Sequence, residues 1–448
     1  MLKRTGLLLI AGLLSISSRA QLACGTDDKY QQLKAAHPEI GALEQKLEAE
    51  IRDKVSKLDL RKFAKTTGAN DTTYYDVPIV IHLVHDYGTE YVSDDAIFDA
   101  VSNWSEVFLA SNPDTASVIA PFKPYIGNAR IRLRLATKDP NGNPTKGITR
   151  RRSYLSANAG DQAKLDGWPN NSYINIWFVN TFSGSHSGAA AYAYYPSSGQ
   201  WMPYYDGIIG LTTYLNYDKA IPHEIGHVLN LQHTWGNTNA PNVACGDDQV
   251  ADTPPTKGHL TTGCTAASIY DVTCATGYVV NTPNGIIDYP DTTNAQNVMD
   301  YTYCQKMFTH GQVDRMHASL NSSVAGRNNL FNPANLVSTG ALEARPDLLP
   351  IPEFSVEKAA FSTERSYFLT AGNAAKFVFR NRSWNDTITN VDWTFSNGAD
   401  ISSISSMGTI NNQFSQPGWV TVTMTATGNN SGTATLTDDR AVYVADPN

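Results

Sequence analysis

Residues 223–233 read His-Glu-Ile-Gly-His-Val-Leu-Asn-Leu-Gln-His. On a helix, His223 and His227 are four positions apart, so their imidazoles leave one face and can share a metal ion. Two nitrogens underfill a zinc site. His233 lies six residues beyond His227, out of phase with an unbroken helix, so the helix is expected to end near Leu229. Asn230 then takes the left-handed conformation, which asparagine tolerates best after glycine. The chain swings His233 back towards the metal, giving three imidazole ligands and an open fourth position, the arrangement of a catalytic zinc. Glu224, beside the first ligand, is placed to accept a proton from zinc-bound water and to return it to a leaving amine. The expected reaction is hydrolysis of a peptide bond.

The flanking sequence sets this segment in a mixed α/β region. Val77–Val84 is strongly apolar, Arg130–Leu135 alternates, and Tyr173–Val179 and Ala189–Tyr194 read as further strands. Ser93 caps a helix with Ile97, Ala100, Val101, Trp104 and Phe108 on its inner face. Strand–helix–strand order implies a mixed sheet. Upstream, Ile40, Leu43, Leu47, Ile51, Val55 and Leu58 form an amphipathic helical stripe, followed by a polar linker at 66–73. Downstream, the proline-bearing stretch 332–352 reads as an interdomain linker. Beyond it come short alternating strands (376–380, 391–395, 419–426, 440–444), the pattern of a β-sandwich. Arg150-Arg-Arg152 reads as a solvated loop. His82 and His85 lie on opposite faces of one strand, which argues against a shared metal.

The chain has 448 residues with a net charge of −8 and 17% charged residues. It shows no basic stripe, which excludes nucleic acid as a partner. The apolar run Gly6–Leu14 is too short to span a bilayer. With Lys3 and Arg4 before it and Ser18-Arg-Ala20 after it, residues 1–20 read as a secretory signal peptide. A lipid anchor on Cys24 is the competing reading, disfavoured because Gln21 stands where an aliphatic residue is required. In an oxidising compartment the cluster Cys245, Cys264, Cys274 and Cys304 suggests two disulfides with three possible connectivities, and Cys24 is left over.

About seventy residues after the histidines comes Asn297-Val-Met-Asp-Tyr301. With the histidine signature it resembles the Met-turn of metzincin peptidases. The resemblance makes Met299 a floor beneath the metal and Tyr301 a zinc ligand or a donor to the tetrahedral intermediate. It narrows to the pappalysin family on His223–Gly236, Asp248-Gln-Val-Ala-Asp-Thr-Pro254, the Met-turn and Phe308-Thr-His-Gly-Gln-Val-Asp-Arg-Met316, which arrive in family order. Within the last stretch, Thr309 and Gln312 form a capping box. The resemblance implies a catalytic domain split by a cleft, with disulfides Cys245–Cys274 and Cys264–Cys304. It also implies a structural calcium site near Asp248, Val250 (through its carbonyl) and Thr253, an oxygen-only set that suits calcium. Cys24-Gly-Thr-Asp27 is similar to the start of pappalysin pro-segments, whose lone thiolate ligates the catalytic zinc and holds the enzyme latent. The sequence departs from an archaeal family member at Tyr303, where that protein has an acidic residue shaping a pocket for basic side chains.

The sequence therefore implies an α/β (α+β) metzincin zinc-peptidase domain with a helical pro-segment, followed by an all-β sandwich that resembles PKD-like modules. The expected boundaries are signal peptide 1–20, pro-segment 21–72, catalytic domain 73–331, linker 332–352 and sandwich 353–448. The expected function is a secreted zinc endopeptidase made as a latent zymogen, with zinc and calcium as cofactors and proteins or peptides as substrates. The C-terminal module would bind a polymer or protein. A spent scaffold serving as an adhesin, or a zinc hydrolase acting outside proteins, are the rival readings.

Overall fold

A computed structural model describes residues 23–64, 74–184, 187–217, 219–259, 274, 279–282, 285–288, 293–358, 375–429 and 432–445. The expected signal peptide, the 66–73 linker and Cys264 lie outside the described residues. After the two-residue strand β1 (Ala23–Cys24) come the helices α1 (Thr26–Ala36) and α2 (Glu39–Ala64). They separate at His37-Pro38, where the proline disfavours helix in the residue before it.

The central region is built on β2 (Tyr75–His85), α3 (Asp94–Phe108), β3 (Ile131–Leu135), β4 (Ile148–Arg152), β5 (Ile174–Val179), β6 (Ala189–Ala193), α4 (Pro196–Trp201), β7 (Ile208–Leu211), α5 (Ala220–Val228), β8 (Val279–Thr282), β9 (Gly285–Asp288) and α6 (His310–Leu320). One sheet runs in the order β1-β6-β7-β5-β2-β3, with β4 also pairing β2. β3 takes the first half of β2 and β4 the second, both parallel to it. β6 alone is antiparallel to its neighbour β7. Its outer edge is covered by β1, in parallel register Cys24↔Ala191.

The central strands are buried on both faces, as parallel strands under helices must be. Alternate residues of β5 serve the two cores. Ile176 and Phe178 pack with Ile81, Trp104, Ile225, Met299 and Met316, whereas Trp177 and Val179 pack with Tyr192, Tyr194 and, from α1 and α2, Tyr30, Leu33 and Ile40. Ser93 caps α3 by accepting from Ala96 N, and Thr309 and Gln312 close a reciprocal capping box on α6. The helical stripe upstream is used directly: Leu47 and Ile51 of α2 pack on Ala318 and Val324.

Two sequence expectations need correction. Arg150–Arg152 is not a solvated loop but the second half of β4. The Arg150 side chain is 2% exposed, pairs with Asp94 and lies over the Tyr91 ring. The stretch from 332 is not a free linker at its start. Asn332 caps a helix at Pro333–Ser338, and the Thr339 carbonyl accepts from both Thr137 N and Lys138 N at 3.0 Å. Residues to Ala341 are thus docked on the central region.

The C-terminal region forms two further sheets, β10 (Phe354–Lys358), β11 (Ala375–Asn381) and β14 (Ile410–Phe414) in one, β13 (Ser403–Ser405), β12 (Ile388–Phe395), β15 (Gly418–Gly428) and β16 (Thr433–Val444) in the other. Their inner faces share Phe377, Phe379, Trp393, Phe395, Val422 and Met424, as in a sandwich. Among the described residues no helix is long and apolar enough to cross a membrane.

Candidate active site

α5 carries His223, Glu224 and His227, and it stops where the sequence reading placed its end. Leu229 is the C-cap and Asn230 has φ 68°. The Leu231 N–H then returns to the Gly226 carbonyl at 2.8 Å, and two residues later His233 enters the site. Gly226 is required for another reason. A Cβ there would sit 2.6 Å from Met299 Sδ, so only glycine lets the methionine lie against the helix under the histidines.

All three imidazoles are buried, and each is oriented by its Nδ1. His223 Nδ1 donates to the Val298 carbonyl at 2.7 Å, His227 Nδ1 to the Leu231 carbonyl at 2.8 Å, and His233 Nδ1 to Asp27 at 2.8 Å. This fixes the tautomer and turns every Nε2 lone pair inward, the usual second-sphere arrangement for metal-binding histidine. His223 Nε2 and His227 Nε2 then face each other at 3.2 Å as two acceptors without a proton between them, and His233 Nε2 is buried with no hydrogen-bond partner. Burial and mutual repulsion push His223 down to about 3 and His227 well below the ordinary range, and burial takes His233 down to about 3. The rings are therefore neutral, with their Nε2 lone pairs turned to one space.

Cys24 supplies the fourth donor. Its Sγ lies 3.5 Å from His227 Nε2, and together the four ligand atoms lie within 4.8 Å of one another. Burial, then the neighbouring Glu224 carboxylate, pushes the Cys24 thiol well above its usual range. A cation amid the four donors would reverse that cost and favour the thiolate. Three neutral imidazoles and a sulfur are the donor set of zinc rather than of calcium or magnesium, so the residues fit the group the sequence implies.

Glu224 faces the same space. Its Oε2 accepts from the Thr26 hydroxyl at 2.9 Å and lies 3.5 Å from Cys24 Sγ. Burial raises its carboxyl to about 8, opposed by those two hydrogen bonds. Tyr301 Oη donates to the Cys24 carbonyl at 3.1 Å, and its ring stands edge-on to His233 at 4.9 Å. Trp235 stacks on His233 at 4.6 Å.

Of the expected site residues, the structure brings together Cys24, His223, Glu224, His227, His233, Met299 and Tyr301. Cys245 and Cys274 form a disulfide, and Cys304 is disulfide-bonded. The Asp248 carboxylate is buried, accepts from Val250 N at 3.1 Å and from Gln312 at 3.3 Å, and is driven well up by burial and by the neighbouring Asp247 and Asp252. Sequence reasoning missed Thr26, Asp27, Tyr195, Asn239 and Gln305, whose Nε2 donates at 2.7 Å to the Val298 carbonyl that also accepts from His223. Tyr195 Oη donates to Asp27 at 2.8 Å, and the Asp27 N–H donates to Asn239 at 3.1 Å. Thr26 and Asp27 follow Cys24 directly and could have been weighed with it. Nothing in the local pattern marks Asn239 or Gln305.

Comparison with known proteins bears on the same region. A family model described as pregnancy-associated plasma protein-A, a peptidase family, matches residues 158–321. An extracellular metalloprotease of Arthroderma otae is 32% identical over 168 residues, covering 35% of this chain and 53% of the relative. One of Trichophyton verrucosum is 29% identical over 210 residues, covering 44% and 65%. The chain thus spans about half to two thirds of the length of these relatives. Among solved structures, a promirolysin mutant of Tannerella forsythia aligns with TM-score 0.54 at 26% identity, covering 70% of this chain and 98% of that one. Mature mirolysin in complex with a cleaved peptide aligns with TM-score 0.50 at 29% identity, covering 60% and 99%.

Proposed function

We propose that this chain, which belongs through its central domain to the pappalysin family of metallopeptidases, is a secreted zinc-dependent endopeptidase made as a latent zymogen. The observation that carries the reading is the convergence of His223, His227, His233 and Cys24 within 4.8 Å. Removal of the pro-segment takes away the sulfur and leaves three neutral imidazoles and one open position. Zinc, when bound there, supplies the Lewis acidity that polarises a carbonyl and makes water acidic enough to deprotonate near neutral pH.

The protein's own groups do the rest. Without the pro-segment, the Glu224 carboxylate loses the Thr26 hydroxyl and is free to hold water, take its proton and deliver it to the leaving amine. The Tyr301 hydroxyl, which in the latent form holds a backbone carbonyl of the pro-segment, is free to donate to the oxyanion that develops on a substrate carbonyl. The edge of β6, paired with β1 here, becomes available to an extended peptide, whose main chain it aligns by strand addition. The Nδ1 hydrogen bonds to the Val298 and Leu231 carbonyls keep two ligands oriented throughout.

Secretion is supported by the apolar run Gly6–Leu14 after Lys3 and Arg4 and by relatives named extracellular metalloproteases. Latency is supported by the occupation of the site by Cys24, Thr26 and Asp27, with residues 21–72 as the segment to be removed. We read Asp248, the Val250 carbonyl and Thr253 as a calcium site, because a buried carboxylate beside Asp247 and Asp252 is stabilised by a divalent cation. A thermal melt that does not rise with added calcium would remove that reading. The C-terminal sandwich is read as a PKD-like module that engages a polymer or protein.

The test is hydrolysis of a denatured protein by the mature enzyme with zinc quantified. Activity should be abolished by a chelator, restored by zinc, and reduced by roughly 10²–10⁴-fold in Glu224→Gln with zinc still bound. A zinc-loaded mature protein that leaves denatured proteins intact would refute the assignment.

A further inference from the structure

The sheet edge covered by β1 and α1 carries a charged group that the proposed reaction does not use. Asp161 opens a short 3₁₀ turn, Asp161–Ala163, and its carboxylate sits at the tips of two tyrosines. The Tyr192 hydroxyl donates to Oδ1 at 3.0 Å and the Tyr194 hydroxyl to Oδ2 at 2.8 Å. Lys164 Nζ lies 3.4 Å from Oδ1, but its ammonium is engaged elsewhere as well. It donates to the Tyr205 carbonyl at 2.6 Å and stands 4.0 Å from the centre of the Tyr194 ring. Oδ2 is completed by Lys29 of α1, at 2.5 Å. Burial works against the charge, yet Lys164 and Lys29 hold the Asp161 carboxyl well below the usual carboxylate range.

Lys29 leaves with the pro-segment, whereas Tyr192, Tyr194 and Lys164 stay. A preformed acceptor then lacks the cation on Oδ2. Its place relative to the histidines follows from strand geometry. Tyr192 and Tyr194 occupy alternate positions and pack in one core, so both project from the same face of the edge. On an added strand, a residue directly opposite either of them projects from that face beside it. A lysine or arginine there is about as long as a tyrosine, so its charge arrives level with the two hydroxyls. Cys24 is opposite Ala191, and positions opposite Tyr192 and Tyr194 therefore lie about 3 and about 10 Å further along the edge. Lys29 reaches the carboxylate from a similar distance, since its N–H donates to the Gly25 carbonyl at 3.1 Å, one helical turn from Cys24. Antiparallel addition, the more stable ladder, puts these substrate residues before the scissile bond.

We infer that Asp161 binds a lysine or arginine side chain of the substrate two to four residues before the scissile bond, the place that Lys29 fills in the latent chain. The inference rests on the peptidase reading above and adds a specificity residue to it. Asp161 touches no reacting atom, so its effect falls on substrate binding. A neutral side chain of the same length makes no charge-assisted hydrogen bond to Oδ2. An acidic one meets a like charge.

The experiment uses mature, zinc-loaded enzyme and quenched fluorogenic peptides that differ only in carrying Lys, Met or Glu, placed in turn at each position from two to four before the scissile bond. At one of these positions Lys should exceed Met by about tenfold in kcat/KM, through KM rather than kcat, with Glu below Met. The preference should shrink as salt rises from about 0.05 M to about 0.5 M, because the pair is only partly sheltered. Asp161→Asn, checked for retained zinc, still accepts from a tyrosine and should bring the Lys/Met ratio near one. A parent ratio near one at every position, a preference that salt does not weaken, or an unchanged ratio in zinc-retaining Asp161→Asn would overturn the inference while leaving a peptidase. If Asp161→Asn loses zinc, the parent's ratio and its salt dependence decide alone. Failure to cut any peptide with zinc bound would overturn the peptidase reading and the subsite with it.

Discussion

Cys24 Sγ and His227 Nε2 stand 3.5 Å apart although 203 residues separate them in the chain. The two residues that follow Cys24 extend the contact. Thr26 holds the Glu224 carboxylate and also accepts from Ala193 N at 2.8 Å, and Asp27 holds His233. One turn of chain therefore covers the three imidazoles, Glu224 and the edge of β6 together. Glu48 of α2 accepts from Asn230 at 2.7 Å and pairs with Arg315, so the same segment is also clamped behind the loop that carries His233.

Replacing the sulfur should weaken latency without abolishing it, because Thr26, Asp27 and Glu48 remain. Uncleaved Cys24→Ala precursor should hydrolyse a quenched fluorogenic peptide at least about tenfold faster than the uncleaved parent, since a thiolate–zinc bond is lost. A variant as inactive as the parent would show that Cys24 is not what blocks the site.

Tyr301→Phe removes one hydroxyl and keeps the ring that packs edge-on against both His233 and Trp235. In the mature enzyme kcat should fall by about 10²-fold, the cost of one oxyanion donor, with KM little changed. Equal loss in KM alone would assign the hydroxyl to substrate binding instead.

Acid should destabilise the fold through a histidine outside the site. His82 is buried, stacked on Trp177 at 5.0 Å and hydrogen-bonded to Asn175 at 3.0 Å, and burial lowers it from 6.5 to about 4. Between these values the unfolded chain binds the proton and the folded one does not. Stability from this residue is therefore complete above about pH 6.5 and is lost as pH falls towards 4, by roughly 3 kcal/mol at most. Urea unfolding at pH 7 and pH 4.5 should show the gap between parent and His82→Gln narrowing at the lower pH. A gap independent of pH would mean that His82 does not titrate in this window.

Much of the site was legible because its encoding is local. The i, i+4 histidines share a helix face, and Asn230 can turn left-handed, so three ligands follow from eleven residues. The central strands β2 and β5 declare themselves by apolar content. What escaped depends on tertiary placement. β4 reads Ile-Thr-Arg-Arg-Arg, and it is a strand because Asp94 and Tyr91 accommodate the Arg150 charge rather than because it is apolar. β7 is four residues with a glycine, too short to show a period. Gln305 and Asn239 acquire their roles only once the Met-turn and the loop after His233 are folded against α5.

The central claim is that three imidazoles and the pro-segment thiol converge on one metal. Zinc K-edge X-ray absorption of the uncleaved precursor reads this directly. The account predicts about three nitrogen scatterers near 2.0–2.1 Å and about one sulfur near 2.3 Å, with the sulfur shell gone after the pro-segment is removed. A precursor whose zinc shows no sulfur shell, or no zinc held with His223, His227 and His233 intact, would contradict it.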